Sequence, residues 1–149
     1  MHYLPIPKPI ATEARTTMRD RFGHELHVTK EKAPCRLCLR IPSVPEELIL
    51  LSYRPLPDLG PYAEVGPIFI HAADCRPYPD IENFPADFST RRLILRAYGK
   101  AGQIVNAGVA EPGNAPESAA AFLSEDRIAE VHVRHESYTC FDFKIVRAS

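Results

Sequence analysis

The chain has 149 residues, the size of one ordinary domain, and its 45% hydrophobic and 25% charged residues exclude wholesale disorder. Eighteen Lys+Arg against nineteen Asp+Glu leave a formal charge of -1, which argues against a dedicated binder of nucleic acid or of anionic membrane. Apolar runs stop near the length of Leu48-Ile49-Leu50-Leu51, far short of the ~20 residues a membrane span needs.

Residues 1–9 alternate Pro with Leu or Ile and predict an extended N-terminal arm, with 10–149 as a single domain. The arm lacks the charged lead and apolar stretch of a secretory signal, so the expected compartment is the cytoplasm. Cys35, Cys38, Cys75 and Cys140 are then expected as reduced thiols or ligands, not as a disulfide framework. Ile10, Ala14, Met18 and Phe22 recur four apart between Pro9 and Gly23, which predicts an amphipathic helix. Leu26 and Val28 alternate with polar neighbours and read as a short strand. Cys35 to Arg40 also alternates like a strand, and Glu47 to Tyr53 and Ile68 to His71 are apolar runs of strand length.

Further along, Leu93 to Tyr98 and Gln103 to Val109 flank Gly99-Lys100-Ala101-Gly102, a plausible hairpin turn. Asn114-Ala115-Pro116-Glu117 resembles a helix start, with Ala119, Phe122 and Leu123 facing the core. Glu130 to Arg134 and Thr139 to Val146 predict a second hairpin. Two short helices and about seven strands, without regular β-α alternation, predict an α+β domain on an antiparallel or mixed β-sheet. Arg54 to Pro67 and Ala73 to Thr90 are long loops for so small a domain, and such loops tend to carry sites.

Several segments together resemble one known family. They are Pro34-Cys35-Arg36-Leu37-Cys38-Leu39-Arg40, Glu46-Glu47-Leu48-Ile49-Leu50-Leu51-Ser52-Tyr53, Pro61-Tyr62, and Gly66-Pro67-Ile68-Phe69-Ile70-His71. Leu95-Arg96-Ala97-Tyr98, Val131-His132-Val133-Arg134 and Cys140-Phe141 complete the ordered set. The set is similar to the bacterial family called domain of unknown function 1203, from about Ile10 to the C-terminus. The resemblance implies a compact bacterial domain and no particular activity.

Three functional readings remain open on the residues. The first is a small domain that binds a small ligand or a protein partner, with His71, Tyr53, Arg54, Tyr62 and Arg76, and also Tyr78, bringing aromatic and basic groups to the long loops. The second is a cysteine-dependent enzyme. Registers of the last hairpin that keep apolar opposite apolar set His132, Arg134, Cys140 and Asp142 on one face. Cys140 would be the nucleophile, His132 its base, Arg134 an anion holder and Asp142 the group that orients His132.

The third reading is a zinc site through Cys35, Cys38, His71 and Cys75, zinc being the alternative to no cofactor. If residues 35–40 are a strand, Cys35 and Cys38 point to opposite faces, so this site needs the backbone to turn at Arg36-Leu37. A thioredoxin-like pair is disfavoured, because no helix starts after Cys35. Neither a phosphate-binding Gly-rich loop, a His-Glu-x-x-His helix nor a Gly-x-Ser-x-Gly elbow is present.

Overall fold

A computed structural model describes residues 1–58 and 60–149. In chain order it holds β1 (His2–Leu4), α1 (Lys8–Thr17), β2 (Val28–Glu31), β3 (Glu46–Tyr53), β4 (Gly66–His71), β5 (Leu93–Gly99) and β6 (Ile104–Ala110). Then follow α2 (Ala115–Leu123), β7 (Ile128–His135) and β8 (Phe141–Val146). The strands form two antiparallel sheets, one ordered β1-β8-β7-β5-β6 and one ordered β2-β3-β4. The α+β class is therefore as the sequence predicts, with its strands divided between two sheets. No helix among the described residues is long and apolar enough to cross a membrane.

Each sheet owns a core. On the five-stranded sheet, alternation at Leu93, Leu95 and Ala97 and at Val131 and Val133 builds an apolar face, and α2 covers it with Ala119 and Leu123. The second core joins Ile49 and Leu51 of β3, Ile68 and Ile70 of β4, and Ala11 and Ala14 of α1. Phe141 of β8 enters this second core, so the last strand touches both. Burying a side chain of Leu or Ile size contributes about 1.5–3 kcal/mol, and these two clusters carry most such residues.

The N-terminal segment lies against the sheet: Tyr3 pairs with Ile145 across β1 and β8, and its ring is buried in the first core. The first helix is shorter than the spacing predicts. It ends at Thr17 because Met18 turns left-handed, with φ 49°, which breaks the hydrogen-bond ladder. Phe22 consequently lies outside the helix and is exposed.

The expected strand at 35–40 is corrected to a turn over residues 36–38. Leu39 takes φ 58° and its N–H donates to the Cys35 carbonyl at 2.9 Å. The alternation that suggested a strand has another cause. Leu37 points into the second core and Leu39 into the first, so a tight turn between two cores copies the pattern of a two-faced strand.

Candidate metal centre

That turn brings Cys35 and Cys38 to the same side. At the end of β4, His71 meets them, because its N–H donates to Cys35 Sγ at 3.3 Å and its Nδ1 lies 3.4 Å from Cys38 Sγ. Cys75 follows in the next loop and places its Sγ 3.8 Å from that of Cys35. One donor atom from each of the four residues falls within 4.8 Å of all the others. For zinc bonds of about 2.3 Å to sulfur and about 2.0–2.1 Å to nitrogen, tetrahedral geometry puts S···S near 3.8 Å and S···N near 3.6 Å. The Cys35–Cys75 and Cys38–His71 distances lie within about 0.2 Å of those edges.

The electrostatics of the cluster favour a cation. Side-chain hydrogen bonds from Cys38, and then from Cys75, hold Cys35 below the ordinary thiol range. The same contacts push Cys38 upward, the Cys35 sulfur being the largest cause, and the Cys35 contact also raises Cys75. A negative charge on Cys35 is thus opposed on the other two sulfurs. Three thiolates together require a positive ion at their centre.

The surroundings complete a shell. His71 Nε2, the ring nitrogen away from the sulfurs, meets Glu46 Oε2 at 2.5 Å. A carboxylate on the far nitrogen of a metal-binding histidine fixes its tautomer and orientation. From α1, Arg15 donates Nε to the His71 carbonyl at 2.9 Å and Nη2 to Cys75 Sγ at 3.2 Å. A zinc ion held by three thiolates and a neutral imidazole would carry a net charge of about -1, which the Arg15 guanidinium would offset. Neither Glu46 nor Arg15 stands out in the sequence, since each reaches the site only through tertiary packing.

The terminal hairpin departs from its expected parity. Val133 pairs with Phe143 but Arg134 pairs with Phe141, so the register shifts by one residue at Asp142. Such a bulge turns the side chains beyond it. Phe141 therefore joins the His132 face, with ring centroids 5.2 Å apart, where the regular pattern predicts it among the valines. His132 is fully buried, not on an outer face, and its Nε2 meets Glu130 at 2.7 Å. Burial holds its pKa below the ordinary histidine value, against the raising effect of Glu130.

Asp142 does not orient His132; it binds His135 Nδ1 at 2.5 Å and faces Arg36 Nη2 at 3.2 Å. Arg134 donates to the Thr139 carbonyl at 2.9 Å, and Cys140 Sγ lies 3.7 Å from the Tyr138 carbonyl. The loop candidates are dispersed as well. Tyr53 and Arg54 line one cavity of about 390 Å³, and His71 lines another. Tyr62 and Arg76 are exposed, and Tyr78 hydrogen-bonds the Asn83 carbonyl at 3.0 Å.

The fold and site define an α+β protein of two antiparallel sheets with a Cys/His cluster beneath its first helix. The family model described as "Protein of unknown function (DUF1203)" matches residues 32–147, and the chain belongs to that family. All four cluster residues fall inside the match, while Arg15 and α1 precede it. No curated protein and no solved structure matches the chain.

Proposed function

We propose that this protein binds one zinc ion through Cys35, Cys38, His71 and Cys75, and that the ion is structural. The carrying observation is the mutual closeness of the four donor atoms, all within 4.8 Å. Glu46 behind His71 supports it independently, as does the S···S distance of 3.8 Å. Four protein ligands close a tetrahedral site and leave no position for substrate, which is the pattern of zinc ions that contribute to folding. Sulfur-rich tetrahedral donors suit zinc over the harder magnesium or calcium. A structural ion agrees with a domain whose task is to bind a ligand or partner on its other surfaces.

The test is metal content of the full chain under non-denaturing conditions, followed by cobalt substitution. One zinc per chain is expected, with a cobalt form showing thiolate charge-transfer bands and an intense tetrahedral visible spectrum. Cys38→Ser and Cys75→Ser should each lose the ion or bind it far more weakly. A metal-free chain that takes up no cobalt and is indifferent to both substitutions would refute the site.

A further inference from the structure

A second constellation lies where β7 turns into β8, and it is independent of the metal reading. His135 and Cys140 face each other across the hairpin, the His135 N–H donating to the Cys140 carbonyl at 3.2 Å. Cys140 lies just before β8, one step beyond the last paired residues Arg134 and Phe141, and it shares one cavity lining with His135. Asp142 is fully buried and takes the His135 Nδ1 at 2.5 Å. With the carboxylate there, a neutral ring carries its proton on Nδ1 and leaves Nε2 as acceptor. A carboxylate fixing an imidazole beside a thiol is the composition of a nucleophile site.

The surroundings point to a ligand. His135 and Cys140 line the same cavity of about 580 Å³, whose lining also includes Lys32, Arg36 and Arg91. Among the described residues, the side chains of Lys32 and Arg91 make no hydrogen bond or ion pair, and Glu31 is the only acidic lining residue. Leu50, Pro67 and Phe69 supply an apolar wall. Arg36 is already committed, donating to the Phe141 and Pro34 carbonyls at 2.8 Å each, so it fixes the site's floor and Asp142 with it. Just before the thiol, Thr139 holds φ 59°, an uncommon conformation for a β-branched residue that clusters at functional sites.

We infer that Cys140 is a nucleophile served by His135 and Asp142, in a pocket that takes small carboxylate-bearing esters. After rotation about its Cα–Cβ bond, the thiol gives its proton to His135 Nε2 and the sulfur attacks the ester carbonyl carbon. A C–S bond forms and the ester C–O bond breaks, the leaving oxygen departing as an alcohol with the proton from His135. Water then attacks the thioester and passes a proton to His135. The C–S bond breaks to release the carboxylic acid, and the proton returns to sulfur. The sum is ester plus water giving acid plus alcohol.

The test uses the full chain as isolated, with peptide mapping so that Cys140 is read apart from Cys35, Cys38 and Cys75. Alkylation of Cys140 by iodoacetamide at neutral pH should exceed that of a synthetic 136–144 peptide by roughly 100-fold, the lower end of what a positioned base supplies. His135→Gln should remove that excess. The anionic iodoacetate should gain further over iodoacetamide in the protein, and Lys32→Ala with Arg91→Ala should abolish only that gain. Mono-p-nitrophenyl succinate should release nitrophenolate and leave a succinyl group on Cys140, which Cys140→Ser prevents. Cys140 reacting like the peptide overturns the nucleophile, and this reading needs no variant to fold. Fast alkylation without acylation overturns the ester chemistry, and no preference for iodoacetate overturns the anionic pocket.

Discussion

Glu46 and His71 show how far one residue's role depends on its neighbours. His71 is visible in the sequence as a histidine at a strand end, and Cys35, Cys38 and Cys75 as thiols with loose metal spacing. Glu46 carries no such mark. It reaches His71 because β3 and β4 pair with Leu48 opposite His71, a register that no local pattern fixes. With Nε2 on that carboxylate, Nδ1 is the nitrogen left for a metal. Glu46→Gln should therefore weaken zinc by roughly 10–100-fold, the usual cost of losing such a partner, as measured by competition with a chelating dye. The carboxylate is 45% exposed, so thermal stability of the loaded protein should change little. An unchanged zinc affinity would remove Glu46 from the site.

Elements were legible where one face alone meets a core. The strand β5 over residues 93–97 and the helix α2 follow their periodicity because each has one buried stripe, whereas on β7 the valines alternate as expected but His132 and Arg134 are buried on the second face as well. Periodicity failed where both sides are covered. The 35–40 turn divides its leucines between two cores, and the bulge at Asp142 sends Phe141 and Phe143 to opposite faces, which defeats a parity argument. The end of α1 was hidden for a related reason, since the chain that follows is organised by one carboxylate instead of by a stripe. Asp20 accepts the backbone N–H groups of Phe22 at 2.9 Å and His24 at 3.0 Å, and that of Ser52 on β3 at 2.9 Å. Burial alone would raise its pKa, but these bonds outweigh it and hold the carboxyl at about 2. A folded pKa below the ordinary value of 3.8 adds stability at higher pH that disappears as the folded carboxyl becomes protonated. Asp20→Asn should cost about 1–2 kcal/mol at neutral pH, and the deficit should shrink between about pH 4 and pH 2. Urea unfolding of both proteins across that range checks it; a deficit independent of pH would mean that the charge is not what ties this turn to β3.

At the scale of the whole molecule, the Cys/His cluster proposed to hold zinc lies where separately built parts meet. Its turn belongs to the chain between β2 and β3, its histidine ends β4, and its last thiol lies in the loop beyond. Arg15 fastens α1 over Cys75 and the His71 carbonyl, while Arg36, inside the turn, reaches the Phe141 carbonyl of the other sheet. An ion that holds the turn thus holds the connection between the sheets and the seat of α1. Without such an ion the turn, His71 and Cys75 lose their common anchor, and Arg15 loses the fixed positions of the carbonyl and sulfur that it binds. The cost follows from mass action: a ligand at 100 times its dissociation constant adds about 2.7 kcal/mol, which for a chain of this size is roughly 5–10 °C in Tm. A strong chelator should lower Tm by that amount, and zinc should restore it. The loss should also have a place. Amide hydrogens of residues 8–17 and 72–78 should exchange faster in the chelated protein, while β5 and β7, in the other core, keep their protection. A metal bound at a peripheral site would leave exchange in α1 unchanged, and that result would separate zinc binding from any part in uniting the two sheets.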